Sequence, residues 1–597
     1  MGADFTSDQK RYLEGFVSGL QSARAARGLA PIGGAPAPGA SEPVGPDAIH
    51  IKAQDRTIAA GGKLNAQEKW KRAEHPFDAY PRLREQAQNK LFPKPEDDFR
   101  WRYYGLFYVA PAQNSYMARL RIPNGILKAH QFAGCADVAE RFGGGFTDVT
   151  TRANLQIREI PAEHAVHVVE GVIELGLTAR GSGADNIRNV TGSPTAGIDA
   201  SEIFDTRDVA REWHYHILND RSLYGLPRKF NVAFDGGGTV PVLEETNDIG
   251  FQAVVVNDGA GVEAGVWMRL ALGGITGHRD LARPTGVYCR PKDCTPVADA
   301  ILRVFIENGD RTDRARARLK YVLDAWGFDK FLEAVEAKLG RPLVRIADSH
   351  IAPRPAFDRS AHIGVHAQAQ PGVNWIGIAL PVGRITSAQM RVLADLSREL
   401  GDGDIRLTVW QNLLLSGIAD SNVAEAQARI EACGLDWRAT EVRKGLVACT
   451  GSRGCKFAAA DTKGTATAIA DHVDARLTID RPVNIHLTGC HHSCAQHYIG
   501  DIGLIGARVP INEDGDTVDG FDLVIGGGFA DRAAIGRPVA EKIKADDCPQ
   551  LVEALLNAWM QKRASPEETF QAFTARHSDE DLRSFTKNLA RISEAAA

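Results

Sequence analysis

The sequence predicts an α+β fold with an internal pseudo-two-fold repeat, and three observations predict it. Near residue 105 the chain reads YYGLFYVAPAQNSYMARLRIPNGIL, and near residue 364 it reads HIGVHAQAQPGVNWIGIALPVGRIT. Each is an alternating strand pattern that ends in Pro-x-Gly, at Pro123/Gly125 and Pro381/Gly383. In both copies a helical stretch follows, then a second strand, DVTTRANLQI (148–157) or IRLTVWQNLLL (405–415). Pro123 precedes Arg152 by the same 29 positions that separate Pro381 from Trp410, and Asn154 falls on Asn412. After each copy comes a longer mixed α/β segment with a strand that runs into glycines, WMRLALGG (267–274) and FDLVIGGG (521–528).

Along the chain, residues 5–27 pattern as a short amphipathic helix. Residues 28–47, rich in Gly, Ala and Pro, pattern as a flexible linker. Residues 65–100 are charged and partly helical, an extension wrapped on the body. These parts make an N-terminal region, 1–100. The first half-domain follows over 101–165 and the first mixed segment over 166–345. The second half-domain spans 355–425 and the second mixed segment 440–585.

Composition narrows the class. With 44% hydrophobic and 24% charged residues the chain can bury real cores. A formal charge of -5 leaves no global basic field for nucleic acid. No apolar run of about 18 residues appears, so no membrane span is expected. The polar start, Met1 to Lys10, lacks the apolar core of a secretory signal. Nine cysteines are few, and four of them fall between Cys449 and Cys494. That suits a reducing cytoplasm and a thiolate metal site better than a disulfide scaffold.

The repeat is informative where it breaks. Arg119 and Arg121 correspond to Gly377 and Ala379, and Arg152 corresponds to Trp410. Three cations lost together from the second copy point to an anion site on one side only. The Gly273–Gly274 and 526–528 glycines allow a close backbone approach, with N–H groups that could meet carboxylates. The segments KGLVACTGSRGCKFAAADTKG and HLTGCHHSCAQHYIGDIG give Cys449-x5-Cys455 and Cys490-x3-Cys494. Four thiolates in two close pairs suit a zinc ion or a cubane iron–sulfur cluster. The five-residue gap, with Gly451, Ser452 and Gly454 free to bring amides toward sulfur, favours the cluster. A zinc-binding structural or interaction protein is the alternative from another class. No Gly-x-Gly-x-x-Gly between a strand and a helix is found, so any electrons come from another protein.

Seven motifs, in order, carry a resemblance over residues 100–560: MARLRIPNG (117–125), TTRANLQI (150–157), DNIRNVTGSPTAGID (185–199), LPRKFN (226–231), RLTVWQN (406–412), GLVACTGSRGC (445–455) and TGCHHSC (488–494). Together they resemble the siroheme and [4Fe–4S] nitrite and sulfite reductases, most of all the ferredoxin-dependent assimilatory nitrite reductases. The resemblance implies two ferredoxin-like half-domains and two larger α/β segments around a siroheme and a [4Fe–4S] cluster. It implies that Cys449, Cys455, Cys490 and Cys494 hold the cluster, with Cys494 bridging to the siroheme iron. Arg119, Arg152, Lys229 and Asn231 are implied to line the substrate face. Arg121, Thr150, Thr151, Asn154, Arg188, Asn189, Gly273 and Gly274 are implied to contact the cofactor, and Arg228 is a further candidate. The implied reaction is six-electron reduction of nitrite to ammonium, with ferredoxin as donor docking near Arg453, Lys456 and Lys463. Sulfite reduction to sulfide is the alternative. Sulfite-reducing relatives usually place a second Lys at the position of Asn231, which suits a dianion, so Asn231 favours nitrite. One departure is visible: His491-His492 stands where plant-like relatives have Pro-Asn.

Overall fold

The computed structural model describes residues 42–110 and 112–586. The expected helix over 5–27 and most of the linker lie outside the described residues. The two half-domains each form a five-stranded antiparallel sheet, and each lends a strand to the other. The first sheet contains Leu106–Val109, Ser115–Arg119, Leu155–Ile160 and Phe146–Val149, then Arg384–Thr386 from the second half. The second contains Gly364–Ala367, Val373–Ile378, Leu413–Ala419 and Asp404–Leu407, then Ile126–Lys128 from the first half. The Pro-x-Gly turns make this exchange. Asn124 at φ 60° and Val382 at φ 45° turn the chain out of its own sheet just before the lent strand. Leu127 then pairs with Ile405, and Ile385 with Thr147. Both lent side chains are fully buried, and the two halves share one hydrophobic core. The helices that follow, Ala129–Phe142 and Ser387–Leu400, pack on each other across the pseudo-two-fold axis.

The mixed segments repeat one another as well. The middle domain has a six-stranded sheet and the C-terminal domain a five-stranded one. Each begins with three parallel strands and continues antiparallel. Details match at the strand ends. Asp248 accepts from the Asn231 N–H at 2.8 Å and pairs with Arg318 at 2.7 Å. Asp501 accepts from the Asn484 N–H at 2.8 Å and pairs with Arg359 at 2.9 Å. The glycines answer differently from expectation. The N–H groups of Gly273 and Gly274 donate to Asp248 and Asn247 carbonyls, and those of Gly526 and Gly527 to Asp501 and Gly500. A Cβ on Gly274 would stand 2.4 Å from the Glu245 carbonyl oxygen. The close approach these glycines permit is that of the protein's own backbone, so their N–H groups are not free for carboxylates.

The 65–100 extension is bound into the middle domain. Glu68, with no exposed side-chain surface, takes Arg311 at 2.6 Å and Gln54 at 2.9 Å and pairs with Lys71. Asp185 receives Arg314 at 2.7 Å and Lys71 at 3.5 Å. Buried charges hold only when paired in this way. No helix among the described residues is long and apolar enough to cross a membrane.

Candidate functional site

Two adjacent parallel strands, Leu446–Ala448 and Ile485–Thr488, end side by side, with Ala448 opposite Leu487. Their C-terminal ends deliver the two cysteine loops to one edge, the usual place for a site in such a sheet. Cys449 follows the first end directly and Cys490 follows the second after Gly489, and Cys455 and Cys494 lie on the loops beyond. The four thiols lie within electrostatic range of one another: Cys494 bears on each of the other three. Burial raises the thiols of Cys449 and Cys455 and pushes that of Cys490 up to about 11. Backbone amides work against burial. Gly489 donates to the Cys449 sulfur at 3.2 Å, helped by Gly451, while Phe457 and Ala458 act on Cys455. The amides of Ser452 and Gly454, expected to face sulfur, are used inside the loop on Ala460 and Gly451. Among the described residues no three His, Cys, Asp or Glu side chains form a group that could hold one metal ion. A donor set of four thiols from two loops, with amides aimed at sulfur, fits a multi-iron cluster, whose thiolates stand further apart than those on a single ion.

The cations collect against Cys494. Its sulfur is an electrostatic neighbour of Arg119, Arg152 and Lys229 together. Burial pushes Arg119 and Arg152 down to about 10, and holds Lys229 well below the usual lysine range with Arg318 adding to the effect. Among the described residues, Arg119 and Lys229 make no ion pair; the Arg119 guanidinium lies 4.5 Å over the Phe107 ring. Arg152 donates to the Asn247 amide oxygen at 2.9 Å. Partly buried cations of which two lack an ion pair suit an anionic ligand rich in carboxylates and a small anion beside it.

The repeat separates fold from function here. Asn154 holds the Leu120 carbonyl at 2.5 Å and is buried, and its image Asn412 accepts from Leu380 N–H at 2.9 Å. Thr150 Oγ1 accepts from Arg152 N–H at 3.3 Å, and its image Thr408 accepts from Trp410 N–H at the same distance. Ala153 and Gln411 share a positive φ, 46° and 59°. The threonine bond and the positive φ occur in both copies, so Thr150 shapes the turn, and both asparagines tie the turn to the neighbouring strand by different bonds. What differs is the tip. In the second copy Trp410 is buried against Phe529, 4.9 Å away, and His362, 5.6 Å away. A Cβ on Gly377 would stand 2.2 Å from the His362 carbonyl oxygen. The position equivalent to the cation cluster is filled.

Other expected site residues take supporting places. Arg121 is 1% exposed and donates through one nitrogen to the Ile187 carbonyl at 2.7 Å, which props the 181–187 loop, while its Nε and second terminal nitrogen are buried without a protein partner. Arg188 holds the same loop through Ser182 and Ala184 carbonyls at 2.6 and 2.8 Å. Asn189 bonds the Ile122 and Arg152 carbonyls at 2.8 and 3.0 Å and so sets the Arg152 turn. Thr151 Oγ1 donates to the Cys494 carbonyl at 2.9 Å, tying that turn to the cysteine loop. Arg228 lies 3.9 Å from Asp185. Asn231 is only 2% exposed. Its amide takes the orientation in which the oxygen accepts from Arg152 at 3.0 Å and Arg318 at 3.3 Å and the nitrogen donates to Phe230 O at 3.3 Å, since the opposite one would face N–H groups toward two guanidinium groups. In that orientation it supports Arg152 through its oxygen. Of the three candidate docking cations, Arg453 is 79% exposed and Lys456 is exposed, but Lys463 is 12% exposed, lies 3.6 Å from Asp148 and donates to the Val382 carbonyl.

Two residues escaped the sequence reading. The Gln411 amide bonds both the N–H and the carbonyl of Ala448, at 2.9 and 3.0 Å, one residue before Cys449. Arg158 reaches from the first half-domain to the Thr450 hydroxyl and pairs with Asp148 at 2.7 Å. Each half-domain thus grips the first cysteine loop. Only the occurrence of polar side chains on otherwise apolar strands could have drawn attention to them.

Comparison with known proteins gives the family. The model of the nitrite and sulphite reductase 4Fe–4S domain matches residues 183–343 and 441–584, and that of the ferredoxin-like half domain matches 110–175 and 366–433. The chain is 36% identical to the ferredoxin–nitrite reductase of Synechococcus elongatus over 77% of its own length and 89% of that protein. It is 36% identical to that of Leptolyngbya laminosa over 84% and 98%. The solved structure of Mycobacterium tuberculosis NirA superposes with a TM-score of 0.81 at 28% identity, over 88% of this chain and 99% of that one. Each model matches twice, once in each half of the repeat, and the chain belongs to the nitrite and sulphite reductase family.

Proposed function

We propose that this chain is a ferredoxin-dependent nitrite reductase that converts nitrite to ammonium and water with six electrons and eight protons. The observation that carries the reading is the meeting of Arg119, Arg152 and Lys229 around Cys494, which supports an anion site beside a thiolate that would bind metal. Cys449, Cys455, Cys490 and Cys494 would hold the [4Fe–4S] cluster, and Cys494 would join it to a siroheme, which supplies the iron that takes the anion and the electrons. The chain's own residues do the rest. Arg119 and Arg152 attract the anion and offset charge that builds on its oxygens. Lys229, held below the usual lysine range, gives up a proton more readily than a free lysine, as a general acid should. The relatives' printed names, which state ferredoxin and nitrite, agree with this reading. The test is a steady-state comparison of nitrite and sulfite on the loaded enzyme with a reduced viologen, with ammonium and sulfide measured. A much higher kcat/KM for nitrite is expected. A preference for sulfite would sink the substrate assignment and leave the architecture.

A further inference from the structure

His491-His492 is the one departure in the cysteine motifs, and it has no part in the chemistry above. The Nδ1 of His492 lies 3.4 Å from the Cys490 sulfur. Phe457, two residues after Cys455, is a large hydrophobic side chain left 58% exposed. Its ring meets the His492 ring edge-on, with centroids 5.3 Å apart and planes at 77°. The backbone is held from the other side. A Cβ on Gly277 of the middle domain would stand 3.0 Å from the His492 carbonyl oxygen and 3.2 Å from that of His491. The His492 backbone thus lies against the middle domain, and its imidazole has the Phe457 ring at its edge and one nitrogen on a sulfur.

We propose that His492 donates its Nδ1–H to the Cys490 thiolate, beside the Phe457 ring, and thereby raises the reduction potential of the cluster. The inference rests on the reading that Cys490 is a cluster ligand. A thiolate bound to iron has no proton to give, so the imidazole must be the donor. Reduction adds one electron and one negative charge to the cluster with no bond broken. A hydrogen bond to a ligand sulfur stabilises that added charge. Phe457 packs on the edge of the imidazole and so favours the ring orientation that puts Nδ1 on the sulfur. His492 acts through Cys490, so it is a positioning residue and not a catalytic one.

The test is a redox titration of the loaded enzyme, followed by electron paramagnetic resonance. His492→Phe keeps a ring against Phe457 and removes the donor; His492→Gln keeps an N–H donor. For His492→Phe, the equilibrium constant of one-electron reduction should fall about tenfold, about 59 mV lower in potential. His492→Gln should stay much nearer the parent. An unchanged potential in His492→Phe, or an equal fall in both variants, would overturn the proposal. A second measurement needs no variant. In the parent enzyme labelled with 15N-histidine, pulsed resonance of the reduced cluster should show a 15N and an exchangeable-proton coupling, and their absence would also overturn it. Iron analysis separates the two readings. A parent enzyme without a cluster ends both, while an intact cluster with no histidine coupling ends this one alone.

Discussion

Asn231 changes meaning between sequence and structure. In the sequence it is a neutral residue where sulfite-reducing relatives usually carry a second Lys; in the structure it is a buried acceptor for Arg152 and Arg318. Asn231→Lys would set an ammonium among two guanidinium groups, and like charges about 4 Å apart cost on the order of a few kcal/mol near a protein surface. That cost is relieved by a more highly charged anion. The variant should therefore lose at least about tenfold in kcat/KM for nitrite, with the sulfite-to-nitrite ratio rising, as steady-state rates on both anions will show. An unchanged ratio would remove Asn231 from the substrate argument. Gln411 gives a prediction of another kind. Gln411→Ala leaves a buried N–H and carbonyl of Ala448 unpaired, at about 1–3 kcal/mol. Iron content per chain should fall while the secondary structure, read by circular dichroism, is kept. Full iron loading would show that the loop holds itself.

At the scale of elements, the exchanged strands matter most. Ile126–Lys128 and Arg384–Thr386 are three residues each, too short to be found by strand periodicity, and each completes the sheet of the other half. The sequence pattern reads each half-domain as strand–helix–strand and does not place a strand of one half in the sheet of the other. The exchange was not legible because an alternating pattern gives the face a side chain buries, not the sheet it joins. Leu127→Ala empties space in a shared core and should cost about 2–5 kcal/mol. Because that core spans both halves, calorimetry should show the half-domains still melting in one transition, shifted down. Separate transitions would contradict the shared core. The repeat itself was legible in full, since Pro-x-Gly and the Asn154/Asn412 pair mark turns that the backbone needs in both copies.

At the scale of the whole molecule, several histidines are buried in neutral form. Burial pushes His362 and His486 down to about 4 and His214 down to about 3, and holds His50 well below the usual histidine range. These folded values lie below that of a free histidine, so the unfolded chain binds more protons between the two. Their contribution to stability is complete above about pH 6.5 and is lost as pH falls toward 4. Each should remove up to about 1.4 kcal/mol per pH unit in that window. The melting temperature of the loaded enzyme should hold between pH 7 and 8 and fall steadily below pH 6.5. A flat profile down to pH 5 would mean that these rings are solvated.

The sequence by itself determined the doubled α+β architecture, the four cysteines and the side on which cations gather. Each of these is written as spacing, and spacing survives without coordinates. Only the tertiary structure decided which polar residues face the site and which stand behind it. Asn154 and the Gly273–Gly274 amides proved to be spent on the protein's own backbone, while Gln411 and Arg158, distant in sequence, hold the cysteine loop. The physical reason is that a buried donor must find an acceptor, and whether that acceptor is a neighbouring carbonyl or a bound ligand depends on how segments far apart in the chain come to lie together.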